Sequence, residues 1–139
     1  LCQNLLKDKK FLVMMGDDLY IRKDIEKCLT RDLALLAQKI DTPERFGVLK
    51  IEDGVLKEII ESPKLGADSL VNCGLYVLDK RIFDYSLASI GKGEFGLPQT
   101  MVKMTKDHPI KIEKASFWLP VNTLQDLKKA NKYLKKLYK

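Results

Sequence analysis

The stretch Phe11-Leu12-Val13-Met14-Met15-Gly16-Asp17-Asp18-Leu19-Tyr20 constrains the fold most. Five apolar residues run up to a glycine and two carboxylates. The run is too short for a helix of its own and reads as a β-strand covered on both faces. Gly16 lets the backbone turn, so Asp17 and Asp18 stand at the strand's carboxyl end, the edge of an open α/β sheet where ligands collect. Two readings of these acids stand side by side. Carboxylates at such an edge suit a divalent cation that prefers hard oxygen ligands. Alternatively, Asp18 and its neighbours only make a turn or cap the next helix. On these residues alone the second reading is preferred.

A chain of 139 residues is one domain or a piece of one. Hydrophobic residues make up 45%, enough for a core. No apolar run approaches the roughly 20 residues of a membrane span, and no basic-then-apolar leader is present, so a cytoplasmic location without membrane contact is expected. Cys2, Cys28 and Cys73 are odd in number and lie far apart, which suggests small core thiols rather than disulfides or a metal knot. The net charge of +6 traces largely to Lys128, Lys129, Lys132, Lys135, Lys136 and Lys139 near the end of the chain. These read as the solvated face of a last helix, where lysines also suit the negative end of its dipole. A nucleic-acid partner is not expected, because no stacking aromatics on a basic strand accompany the charge.

Along the chain, residues 1–10 look like the end of a helix. Asp24–Arg31 carries Ile25, Cys28 and Leu29 at helical spacing, and Asp32–Ile40 is taken as a strand. Phe46–Glu52 and Val55–Glu61 flank the hairpin signal Asp53-Gly54. Leu70–Leu78 is a second long apolar strand, interrupted by Asn72 and Gly74. Asp79–Ile90 reads as a helix with Ile82, Phe83 and Leu87 on one side, and Gly91–Gly96 as a flexible loop. Leu97–Asp107 is a helix with Pro98 in its first turn. Ile110–Ala115 reads as an edge strand. Asn122-Thr123 caps a last helix whose packing stripe is Leu127, Ala130, Asn131, Leu134, Leu137 and Tyr138. The mixture predicts an α/β domain with a mixed sheet.

Five short motifs then occur in order: Gly16-Asp17-Asp18; Phe46-Gly47-Val48 leading to Glu61-Ser62-Pro63-Lys64; Asn72-Cys73-Gly74-Leu75-Tyr76-Val77; Gly93-Glu94-Phe95; and Phe117-Trp118-Leu119-Pro120-Val121-Asn122-Thr123 ahead of Asp126-Leu127. In order and approximate spacing the chain resembles the sugar-1-phosphate nucleotidyltransferases of the glucose-1-phosphate thymidylyltransferase and uridylyltransferase type. The part resembled is the second half to two-thirds of the catalytic domain. The resemblance implies a single partial domain over residues 1–139, with a Rossmann-like nucleotide-diphospho-sugar transferase fold and helices on both faces of a mixed sheet. It implies a sugar-1-phosphate and a nucleoside triphosphate as substrates, an NDP-sugar and pyrophosphate as products, and Mg2+ as cofactor. It makes Asp17 the metal ligand, and Gly47, Glu61, Asn72, Gly74 and Glu94 sugar contacts. Trp118 is expected to pack rather than bind.

The chain also departs from the family pattern. The glycine-rich nucleotide loop is absent from these residues. Ser62 stands where the family has a lysine, with Lys64 offset by two positions. Pro120 stands where the family has a second metal-binding aspartate, and Pro98-Gln99 replaces Thr-Asp. The expectation is therefore a chain with little or no transferase activity alone, associating with itself or with a missing amino-terminal half through exposed sheet edge. The competing expectation is a non-catalytic remnant that binds a sugar phosphate or a protein.

Overall fold

The computed structural model describes residues 3–6, 10–41, 43–61 and 69–137. The expectations placed on Cys2, Ser62, Pro63, Lys64, Tyr138 and Lys139 lie outside the described residues. Residues 3–6 form a turn rather than the end of a helix.

In chain order the elements are β1 (Phe11–Met14), β2 (Leu19–Tyr20), α1 (Arg22–Leu29), β3 (Ala34–Lys39), β4 (Val48–Glu52), β5 (Val55–Ile60), β6 (Leu70–Leu78), β7 (Ala88–Gly91), β8 (Glu94–Gly96), α2 (Leu97–Met104), β9 (Lys111–Lys114), β10 (Trp118–Leu119) and α3 (Leu124–Leu137). Single 3-10 turns occupy Pro43–Arg45 and Lys80–Asp84. The main sheet has six strands in the order β1-β6-β3-β9-β5-β4, and β4 also touches β6 where Val48 pairs with Val71. The β3–β9 pair is parallel, while β1–β6, β3–β6 and β4–β5 are antiparallel. The expected mixed sheet is thus present.

Alternation along the central strands builds a core on each face. Leu35 and Ala37 of β3, with Tyr76 and Leu78 of β6, point toward Met101 and Met104 of α2 and toward Ile82. Ala34 and Leu36, with Val71, Cys73, Leu75 and Val77, point the other way, toward Cys28 of α1 and Trp118. Helices therefore cover both faces. Cys28 and Cys73 are buried free thiols, as the sequence suggests, and desolvation pushes the Cys28 thiol up to about 11.

Five local expectations need correction. The strand β1 is a partly exposed edge rather than a strand covered on both faces: it pairs only with β6 among the described residues, and Met14 is 43% exposed. β9 is interior, between β3 and β5, rather than an edge. The helix expected over Asp79–Ile90 is one 3-10 turn, closed where the Asp79 carboxylate accepts from Arg81 N at 3.0 Å. The glycine-rich segment after it is the tight turn of the β7–β8 hairpin. Gly91, Lys92 and Gly93 all have positive φ there, a path that no helix follows. Finally, Leu127 and Asn131 of α3 are exposed, while Ala130 is buried and Tyr133 stacks on Phe117 at 4.2 Å. The Thr123 cap is present: Asp126 N donates to its hydroxyl at 3.2 Å.

Candidate functional site

The site is organised by an irregularity in β6. Between the pairs Leu35–Tyr76 and Ala37–Asn72, one residue of β3 faces three of β6. Such a bulge bends a strand and re-aims its side chains. Gly74 occupies it with φ +69°. A Cβ at Gly74 would stand 2.6 Å from Met15 Cγ, so both backbone conformation and space demand glycine. The polar groups that the bulge frees all find partners. Gly74 N donates to Asn72 Oδ1 at 2.9 Å, Met15 N donates to Gly74 O at 3.1 Å, and the Tyr20 hydroxyl donates to Cys73 O at 2.7 Å.

The bulge forms the floor of a cavity of about 470 Å3. Met15, Asp17 and Asp18 follow β1 onto one wall, and Arg45 and Phe46 enter from the turn before β4. Trp118, Pro120 and Asn122 enter from the segment around β10, and Pro98 from the start of α2. Three of the sequence-derived residues, Asp17, Asn72 and Gly74, share this cavity. Gly47 is not in the lining but is bonded to it, its carbonyl accepting from Asn72 N at 2.8 Å. A Cβ on Gly47 would come within 2.8 Å of Ile59 Cγ2 and 3.1 Å of Glu61 Oε1. Glu61 is thereby adjacent to Gly47 and accepts from Gln99 Nε2 at 2.9 Å. Glu94 is not brought in: it lies exposed on the β7–β8 hairpin, off the cavity lining.

The two aspartates play different parts. Asp17 is exposed at the cavity wall. Asp18 is held: its Oδ2 accepts from Trp118 Nε1 at 2.8 Å and from the Tyr20 hydroxyl at 3.3 Å, and its Oδ1 from Val121 N at 3.4 Å. Burial raises the Asp18 pKa above the ordinary aspartate value, and the indole hydrogen bond opposes that only in part. Asp18 does not cap α1, whose N-cap is Ile21 without a side-chain bond. Trp118 packs, as expected, with its ring edge-on to Phe46 at 5.2 Å. Asn72 is also largely engaged, since its Nδ2 donates to the Tyr76 hydroxyl at 2.8 Å. One N–H of that amide is left for a ligand. Asp126 is turned to the α3 cap, its carboxylate accepting from Thr123 Oγ1 at 2.7 Å.

The donor set has a clear limit. Among the described residues no group of three or more His, Cys, Asp or Glu side chains is placed to hold a metal ion. Asp17 is the free carboxylate of the cavity, Asn122 adds an amide, and Pro120 adds nothing. That set fits Mg2+ only where phosphate oxygens and water complete the shell, a common arrangement for this ion. Sequence reasoning missed Arg45 and Tyr76 as cavity residues. No periodicity marks them, because sheet pairing across distant segments places them there.

Residues 1–136 match the family described as Nucleotidyl transferase. The chain is 31% identical over 131 residues to the bifunctional protein GlmU of Methanocaldococcus jannaschii, covering 91% of this chain and 32% of that protein. It is 29% identical over 134 residues to a probable glucose-1-phosphate cytidylyltransferase of Bacillus subtilis, covering 94% and 51%. Among solved structures, a putative glucose-1-phosphate thymidylyltransferase from Bacillus anthracis in complex with a sucrose superposes with TM-score 0.78 at 26% identity, over 95% of this chain and 57% of that one. The inositol-1-phosphate CTP transferase of T. maritima shares the fold, with TM-score 0.76 at 16% identity. The chain thus spans between a third and just over a half of these relatives. A family match over nearly its whole length, with the same fold in solved relatives, shows that this chain belongs to the nucleotidyl transferase family.

Proposed function

We propose that this chain supplies the sugar-phosphate side of a sugar-1-phosphate nucleotidyltransferase site. The reaction joins a sugar-1-phosphate to a nucleoside triphosphate and releases pyrophosphate and an NDP-sugar. The observation that carries this reading is the convergence of Asp17, Asn72 and Gly74 on one cavity, with Gly47 bonded to its lining and Glu61 beside Gly47. A phosphate oxygen attacks the α-phosphorus in line, so the protein's task is positioning and charge neutralisation. The bulge lets a sugar ring approach backbone at Gly74, where the remaining Asn72 N–H reaches a hydroxyl. Asp17 would hold Mg2+ together with substrate oxygens, and the ion would neutralise phosphate charge. The triphosphate falls to residues outside these 139, since no glycine-rich phosphate loop occurs within them. The exposed edge of β1 supports association with a nucleotide-binding part of such a domain.

Titration calorimetry of the 139-residue chain with glucose-1-phosphate and with a nucleoside triphosphate, each with and without Mg2+, tests this. The expected result is sugar-phosphate binding without triphosphate binding. Asp17→Asn should remove any Mg2+ enhancement while leaving stability within about 0.5 kcal/mol, because the side chain is exposed. Binding of neither ligand would point to the non-catalytic remnant, which the lack of a metal-holding group of three or more acids, cysteines or histidines among the described residues favours. Tight triphosphate binding would refute the assignment of the triphosphate to other residues.

A further inference from the structure

Arg45 is the single cationic side chain among the described residues lining the 470 Å3 cavity. Two aspartates line the same space. A phosphate monoester brings close to two negative charges, and a carboxylate-lined cavity repels it unless a cation faces it. Guanidinium is the side chain whose planar donors match phosphate oxygens two at a time. Mg2+ held by Asp17 would bear on other oxygens of the same group.

Position strengthens the case. A second cavity of about 220 Å3 adjoins the first, and both are lined by Arg45, Phe46, Trp118, Pro120 and Asn122. Arg45 therefore stands on the wall the two share, with Lys129 of α3 on the smaller one. Of the nearby acids, Asp17 is free, whereas Asp18 and Asp126 have hydrogen-bond or ion-pair partners, and Asp126 also feels the Arg45 charge. Asp18 accepts from Trp118, Tyr20 and Val121, and Asp126 from Thr123 and, at 3.6 Å, pairs with Lys129. The Arg45 backbone is pinned on its carboxyl side. Phe46 N donates to Pro43 O at 3.0 Å, the Phe46 ring lies edge-on to Trp118, and Gly47 is buried against Ile59. A guanidinium on so fixed a stem loses less freedom on binding than one on a loose loop.

We infer that Arg45 is the phosphate anchor of the site, seating the phosphate of a sugar-1-phosphate at the wall shared by the two cavities. The sugar part of this statement rests on the function proposed above; the anion site does not. The probes are glucose-1-phosphate, inorganic phosphate and glucose, titrated into the 139-residue chain and into Arg45→Gln and Arg45→Lys. Arg45 is exposed, so neither substitution disturbs the core. Arg45→Gln should weaken glucose-1-phosphate tenfold or more and abolish competition by inorganic phosphate, while weak glucose binding stays unchanged. Arg45→Lys should recover part of the loss, because charge returns without the paired donors. Unchanged glucose-1-phosphate affinity in Arg45→Gln would overturn the assignment of Arg45 and leave the proposed function standing. Arg45-dependent binding of inorganic phosphate without sugar-phosphate binding would uphold Arg45 and remove the sugar reading. Binding of no phosphate-bearing probe would overturn both.

Discussion

The indole Nε1 of Trp118 donates to Asp18 Oδ2 at 2.8 Å, across 100 residues of sequence. The bond becomes possible because β10 pairs with β2, placing Trp118 opposite Tyr20. It holds the turn that presents Asp17, so one aspartate is spent on structure while its neighbour faces the cavity.

Trp118 is the single tryptophan, which makes it a reporter of Asp18. Burial sets the Asp18 pKa above the ordinary aspartate value of 3.8. Emission should show a pH step with a midpoint above that value, and Asp18→Asn should remove the step. The sign for stability follows from linkage: the folded state holds this proton more tightly. The Asp18 contribution is therefore fully present below the ordinary value and is lost as pH rises through the folded one. Urea denaturation at several pH values should show this component flattened in Asp18→Asn.

Gly74→Ala should destabilise by about 1–3 kcal/mol, combining left-handed strain with overpacking. The clash is specific to Met15, whose Cγ lies 2.6 Å from where the new Cβ would stand. Adding Met15→Ala should recover part of the loss, giving non-additive urea midpoints. Equal losses in the single and double variants would place the whole cost in the backbone.

Glu113 is 4% exposed on β9 and pairs with Lys27 of α1 and with Arg31 just beyond it, each at 2.6 Å. Burial pushes its pKa up, but the two hydrogen-bonded cations outweigh burial and leave it lowered. Its contribution is therefore present above the ordinary glutamate value of 4.5 and lost as pH falls through the folded one. Glu113→Gln should cost about 1–2 kcal/mol near neutral pH, modest because both cations are half exposed. The difference from the parent protein should shrink in acid, as thermal unfolding across pH would show.

What the sequence determined by itself was local. Apolar runs at Phe11–Met14 and Leu70–Leu78, the Asp53-Gly54 turn and the helical spacing of Ile25 and Cys28 all act within a few residues, so each element is legible from its own side chains. The order of five short motifs was equally legible, and with it the family. Tertiary structure decided which strands lie inside. The run at Phe11 is more apolar than Lys111–Lys114, yet β1 is an edge and β9 is interior, because partners from distant segments set sheet order. It also decided which acid is free. Asp17 and Asp18 are neighbours of the same type, and only the indole arriving from β10 separates a held carboxylate from an exposed one. Arg45 shows the same limit: in sequence it ends a loop, and it becomes a cavity residue only when β4, β6 and β10 come together around it.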